Sequence, residues 1–192
     1  MRFVLASASP ARLKVLRAAG VESEVVVSGV DEDQITAERP AEHVLLLAQA
    51  KARAVAGTLD GAPLVLGCDS MLELDGVALG KPHDAAHARE RWAQMAGRDG
   101  VLHTGHWLVR GTREVGRTAS TTVRFGAPSD EELAAYIDTG EPLAVAGGFT
   151  IDGRGSWWVN SIHGDPGTVI GLSLPLLRSL LAELDVRPTD LW

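Results

Sequence analysis

The sequence predicts an α/β fold built on a mixed, twisted sheet with flanking helices. Three observations predict it. Strand-like and helix-like stretches alternate through the first third of the chain. Leu64-Val65-Leu66-Gly67-Cys68 is continuously apolar, as in a strand buried on both faces. Residues 101–110 and 113–125 flank Gly111-Thr112 and read as a long antiparallel hairpin. Such a mixture implies two lobes, an early sheet half and a later hairpin half, around a central cleft. A length of 192 residues predicts a single unit over 1–192.

The elements follow in order. Phe3-Val4-Leu5-Ala6 is a short apolar strand, and Ser7-Ala8-Ser9-Pro10 interrupts it. Leu13, Leu16 and Arg17 then recur at helical spacing until Gly20. Ser9 suits the N-cap, Pro10 the first helical position and Gly20 the C-cap. A helix that starts directly after a strand presents unpaired N–H groups and the positive end of a dipole, a ready anion site. Ser7, Ser9 and Arg12 add donors to it. An ordinary strand–helix corner with a capping serine would read the same way.

Residues 24–28 form a second strand candidate, and 29–34, GVDEDQ, an acidic loop containing Glu32. That loop suits either a solvated surface or a divalent cation with oxygen ligands. Residues 40–57 are helical, with Val44, Leu47, Ala48, Lys51 and Val55 along one stripe. Lys51 therefore either reaches to the edge of the apolar face or points into a pocket. The buried strand at Leu64 reaches Asp69-Ser70, continues through Leu74, turns at Asp75-Gly76 and returns over Val77-Ala78-Leu79. Asp69 thus sits inside a strand and is no helix cap, which favours a chemical role. Pro82 holds Lys81 extended, and Asp84 caps a helix to about Gly97. Ser129 and Glu132 form a capping box for a helix to Thr139. Short strands are expected over 150–152 and 157–162, a glycine-rich loop over 164–171 and a last helix over 174–184.

Hydrophobic residues make up 45% and charged residues 22%, as in a soluble globular chain. No apolar stretch approaches a membrane span, and no signal-peptide design follows the N-terminus. The single cysteine excludes an internal disulfide, and the simplest location is cytoplasmic. A net charge of −7 argues against nucleic-acid polymers and anionic membranes as partners, yet leaves room for a small anion on local cations. Of 18 basic residues only Lys14, Lys51 and Lys81 are lysine. Lys14 reads as surface; Lys51 and Lys81 stand beside pocket-forming elements.

Several chemistries are excluded. No GxxxxGK(S/T) phosphate loop and no GxSxG nucleophile elbow occur. His103 and His106, three apart on a strand, point to opposite faces and share no metal. Cys68 reads as a packed small hydrophobe, and the five tryptophans as mostly core or interface, with no stacking platform. What remains is an anion-binding turn with Arg12, two isolated lysines, and the carboxylates Glu32 and Asp69. That set suits phosphate-ester or phosphoanhydride chemistry, with cations neutralising developing charge and carboxylates holding a divalent ion and activating water.

LASASPARLKVL, SGVDED, PLVLGCDS, LDGVALGKPHD, HTG, AGGFTIDGRG and HGDPGTVIGLSLP occur in that order. Together they resemble the Maf family, nucleoside triphosphate pyrophosphatases of the inosine-triphosphatase-like fold, from residue 3 to about residue 185. The resemblance implies water attack on the α-phosphorus of a nucleoside triphosphate, releasing a nucleoside monophosphate and pyrophosphate, with Mg²⁺ or Mn²⁺. It implies Asp69 as proton acceptor, Glu32 as its acidic-loop partner, and Lys51 and Lys81 as the lysines. Asp69 and Glu32 are then the metal-holding carboxylates, and Ser7, Ser9, Arg12, Lys51, Lys81, Ser70 and Asp152 contact substrate. Clearing of non-canonical nucleotides fits such an activity, and a homodimer is plausible on general grounds. The chain departs from the pattern at Ala11, where the family has a first arginine. It departs again at Ser70, a threonine in the family, and at Asp152, a Gln or Glu. These positions track base preference, so base choice does not carry over. The family histidine falls on Gly100, which leaves His103 without an inherited role. The alternative is a nucleotide-binding regulator without catalysis, for example of cell division; release of pyrophosphate separates the two.

Overall fold

A computed structural model of the chain describes residues 1–192. One seven-stranded sheet forms its centre, in the order β2-β1-β3-β5-β6-β7, with β4 also paired to β3. The strands are β1 (Phe3–Ala6), β2 (Glu24–Val25), β3 (Leu64–Leu74), β4 (Val77–Leu79), β5 (Asp99–Arg110), β6 (Arg113–Phe125) and β7 (Val159–His163). The pairs β1–β2 and β1–β3 are parallel, and all others antiparallel. The helices are α1 (Pro10–Ala18), α2 (Pro40–Ala56), α3 (Ala85–Met95), α4 (Asp130–Asp138), α5 (Pro166–Ile170) and α6 (Leu174–Glu183). The expected α/β architecture is therefore present, and no helix is long and apolar enough to cross a membrane.

Local chemistry explains the boundaries. Ser9, Asp84 and Ser129 cap α1, α3 and α4 as expected, and Ser129 with Glu132 closes a full capping box. Four expectations shift. The strand foreseen over 24–28 stops at Val25, because its neighbour β1 pairs Leu5 with Val25 and ends one residue later. Residues 150–152 are no strand. Gly147 and Gly148, at φ 73° and 71°, turn the chain there, and Thr150 bonds to the Glu141 side chain instead of a ladder partner. The strand foreseen over 157–162 starts at Val159, after a 3-10 turn over Arg154–Trp158. Within the glycine-rich loop, Asp165 and Pro166 start the short helix α5. Of the tryptophans only Trp92 is fully buried; Trp157 and Trp192 are 83% and 75% exposed.

Three cores flank the sheet. One packs α1 and α6 on Leu64, Leu66 and Cys68 of β3. A second packs α3 and α4 on Leu72 and Leu74 of the same strand. Both lie on the face of the even-numbered residues, so they divide at Ser70. The odd-numbered face carries α2, over Val4, Val65 and Val109. Two glycines bring α2 down to the sheet. A Cβ on Gly67 would lie 2.1 Å from the Ala48 carbonyl oxygen, and one on Gly105 2.2 Å from that of Val44.

The site follows from the edge of β3. On one side β3 is paired along its length by β5. On the other, β1 covers residues 64–67 and β4 covers residues 72–74, leaving 68–71 uncovered. The chain leaving β1 (Ser7) and the chain leaving β4 (Lys81) both emerge at this gap. A cleft at a strand edge collects side chains from both faces of that strand, here Asp69 from one and Ser70 from the other.

Candidate active site

A cavity of about 310 Å³ opens at the gap. Every residue singled out from sequence lines it: Ser7, Ser9, Arg12, Glu32, Lys51, Asp69, Ser70, Lys81 and Asp152. Its far wall is the segment from Ala144 to Asp152, with Val169 and Ile170 between.

Asp69 leaves β3 on the α2 face, and close docking of α2 brings Lys51 to it. Lys51 Nζ donates to Asp69 Oδ1 at 2.6 Å and lies 2.8 Å from Glu32 Oε1. The Lys51 and Asp69 side chains are 10% and 12% exposed, whereas Glu32 is 53% exposed on a 3-10 turn. Lys51 thus points into the pocket and makes an ion pair whose removal on one side would strand a buried charge. Asp69 Oδ2 accepts no bond within the chain, and Asp69 lines the cavity.

On the other face of β3, Arg12 reaches from α1 into the wall. Its Nη1 donates to Ser7 Oγ and to the Cys68 carbonyl, each at 2.9 Å. Its Nε donates to the Gly171 carbonyl at 2.9 Å, and its Nη2 to Ser70 Oγ at 3.0 Å. Four of the five guanidinium hydrogens are therefore spent within the protein. Arg12 is less a ligand-facing cation than the bolt that joins α1, β3 and the loop at Gly171. Ser7 Oγ also accepts from Ser9 N at 3.2 Å, and Ser9 Oγ caps α1 by accepting from Arg12 N. Ser70 Oγ continues to Thr104 Oγ1 at 2.9 Å.

The rim is different. Lys81 is exposed and makes no ion pair. Its backbone is held by Gly80, whose carbonyl accepts from Gly147 N at 3.1 Å and from Arg91 Nη1. Asp152 is exposed and lies 3.5 Å from Lys14 Nζ, so Lys14, read as plain surface, bridges α1 to the far wall. That wall is pinned from behind by Glu141, whose Oε1 accepts from Thr150 Oγ1 at 2.6 Å and from Gly155 N at 3.1 Å. Burial pulls the Glu141 carboxyl upward, but its bonds from Thr150, Gly155 and Arg154 outweigh that and leave it below the usual carboxylate range. Sequence reasoning missed Glu141, which follows Gly140 with no motif to mark it.

Behind the inner wall stand His106 and Cys68. His106 Nε2 accepts from Ser173 N at 2.9 Å, and its Nδ1 lies 3.0 Å from the Thr104 carbonyl. A carbonyl requires N–H at Nδ1 and a backbone N–H requires a lone pair at Nε2, so both partners fix one neutral tautomer. Burial pushes His106 down to about 4, against the pull of the Thr104 carbonyl. His103 lies on the opposite face, bonded to Ser120 Oγ and Glu73. Burial pushes the Cys68 thiol up to about 12, in keeping with a packed hydrophobe.

No cluster of three or more acid, histidine or cysteine side chains could cage a metal alone. Glu32 and Asp69 supply hard oxygen donors on one ammonium, which fits an Mg²⁺-type ion held by one or two carboxylates and completed by substrate phosphates.

A family model described as Maf-like protein matches residues 2–184, and the chain belongs to the Maf family. The nucleoside triphosphate pyrophosphatase of Streptomyces coelicolor is 59% identical, over 100% of this chain and 94% of the relative. The protein of that name from Salinispora tropica is 58% identical, over 100% and 88%. The one from Mycobacterium ulcerans is 50% identical, over 100% and 96%. Among solved structures, the Staphylococcus aureus Ham1 protein aligns at 16% identity and a TM-score of 0.46, covering 66% of this chain and 73% of that one. The nucleoside-triphosphatase (dITP/XTP pyrophosphatase) of Mycobacterium abscessus aligns at 20% identity and a TM-score of 0.43, covering 67% and 76%.

Proposed function

We propose that this chain hydrolyses nucleoside triphosphates to a nucleoside monophosphate and pyrophosphate, by attack of water on the α-phosphorus. One observation carries the reading: a carboxylate held by a buried lysine lines the same cavity as the N-terminal turn of α1 and an unpaired lysine. The names carried by relatives at 50–59% identity support it.

Lys51 fixes the rotamer of Asp69 through Oδ1, which leaves Oδ2 to take a proton from the attacking water. Ser7, and the N–H of Ala11 at the start of α1, donate to phosphate oxygens. Lys81, with no carboxylate to hold it, neutralises the charge that grows on the departing pyrophosphate. Glu32 and Asp69 would hold the divalent cation, Mg²⁺ or Mn²⁺, whose chemistry when bound is charge neutralisation on the phosphate oxygens. Ser70 and Asp152 are the candidates for base and sugar contact. The Asp152 carboxylate accepts from amino and imino donors, which favours guanine-like over thymine-like edges.

The test is a panel of canonical and modified nucleoside triphosphates with added Mg²⁺ or Mn²⁺, scored for pyrophosphate and orthophosphate. Pyrophosphate is expected; binding without product would favour the regulator, and orthophosphate a phosphatase. Asp69→Asn should lower turnover by about 10³-fold while leaving nucleotide affinity measured without added metal within about threefold. A variant that keeps most of its rate would remove Asp69 from the role. Equal rates with purine and pyrimidine triphosphates would remove the preference assigned to Asp152.

A further inference from the structure

Thr104 on β5 faces Ser70 across the ladder and is completely buried, and it is not among the residues that line the cavity. It closes a ring of hydrogen bonds. Arg12 Nη2 donates to Ser70 Oγ at 3.0 Å, Ser70 Oγ meets Thr104 Oγ1 at 2.9 Å, and Thr104 Oγ1 donates to the Thr168 carbonyl at 2.7 Å. That carbonyl also accepts from Gly171 N at 3.1 Å, and the Gly171 carbonyl accepts from Arg12 Nε at 2.9 Å.

The chemistry of the end groups fixes every direction in the ring. A carbonyl only accepts, so Thr104 spends its single hydrogen on Thr168. Thr104 Oγ1 can then only accept from Ser70, which spends its own hydrogen there. A guanidinium only donates, so Ser70 receives Arg12. With Arg12 locked, Nη1 fills one lone pair of Ser7 Oγ at 2.9 Å, and Ser9 N fills the other at 3.2 Å. The one valence left on Ser7 is its hydrogen, in a residue that lines the cavity.

We propose that Thr104 is a positioning residue. By closing this ring it presets the Ser7 hydroxyl as a donor to an anionic phosphate oxygen and withholds the Ser70 hydrogen from the ligand. The inference rests on the reading of the cavity as a triphosphate site, but it is a statement about binding and needs no turnover.

Binding is therefore measured by equilibrium dialysis with ATP, GTP, CTP and UTP plus Mg²⁺, on chains carrying Asp69→Asn. Thr104→Val is nearly isosteric and breaks the ring. It should weaken the tightest-binding triphosphate about tenfold, the size expected for losing a charge-assisted hydrogen bond. Thr104→Ser should restore affinity to within about twofold, because it keeps the hydroxyl. Ser70→Ala opens the same ring, so it should weaken binding by a similar factor. The double variant should then bind no worse than Ser70→Ala alone, an outcome that a mere packing role for Thr104 would not give. In chains that keep Asp69, KM should rise while kcat stays within about threefold. Should Thr104→Val fold poorly, Thr104→Ala carries the test, with Thr104→Ser as its rescue. Unchanged affinity in Thr104→Val or Ser70→Ala, or losses that multiply in the double variant, would overturn the inference. If no triphosphate yields pyrophosphate while the binding pattern holds, the proposed activity fails and the ring stands. If pyrophosphate is released while the variants bind normally, the ring fails and the activity stands.

Discussion

The inner wall of the cavity and its rim are built on opposite plans. On the wall, Arg12, Ser70 and Lys51 already hold protein partners before a ligand arrives, and Asp69 is fixed through one of its two oxygens. On the rim, Lys81 is unpaired, and Asp152 has one long contact to Lys14. Preset polar groups cost little to order on binding, whereas rim charges act through attraction across solvent. The wall should therefore respond sharply to a lost hydrogen bond, and the rim weakly and in a salt-dependent way.

The largest expected break lies behind the wall. Burial pushes His106 down to about 4 in the folded chain, from 6.5 for an unperturbed histidine. Between those values the unfolded chain binds more protons, so stability is complete above about pH 6.5 and is lost as pH falls toward 4. The depression corresponds to about 3 kcal/mol. Urea midpoints measured across this range should fall more steeply for the parent chain than for His106→Asn. Parallel curves would contradict a neutral, backbone-tied His106. Next comes Arg12→Lys, which keeps the charge but loses the fork; KM should rise about 30-fold, since an ammonium cannot serve four divergent acceptors. An unchanged KM would mean that charge alone suffices there.

The smaller effects belong to the rim. Lys81→Ala should cost about tenfold in kcat/KM, and the deficit should shrink as salt is raised. A salt-independent deficit would place Lys81 with the wall. Lys14→Ala should alter kcat/KM by less than about twofold, as expected for an exposed ion pair. A larger loss would mean that the contact to Asp152 holds the far wall in place.

The same division governs how much could be read from the chain alone. The long strands and three helix caps were legible because each rests on neighbours in sequence: Ser9 before Pro10, Asp75-Gly76 between apolar runs, and the unbroken run into Asp69. The charged residues and serines that line the cavity were legible through side-chain chemistry in short motifs, whereas its far wall from Ala144 to Ile151 was not. What the sequence hid is what those side chains already hold. The acceptors of Arg12 are the carbonyls of Cys68 and Gly171, 56 and 159 residues away, and carbonyls leave no trace in composition. Glu141 was invisible because it acts on Thr150 and Gly155 across a turn that itself replaced an expected strand. Lys14 looked like surface and is surface; only the fold sets Asp152 opposite it.

The strand β3 passes without interruption beneath both the α1/α6 core and the α3/α4 core, and β5 runs alongside it throughout. Clamshell motion between the two lobes would have to bend that ladder near Asp69–Gly105 and Ser70–Thr104. One continuous ladder therefore makes a single floor of both lobes beneath the cavity, and the parts of the lining that stand outside it include the acidic turn that carries Glu32 and the segment that carries Asp152.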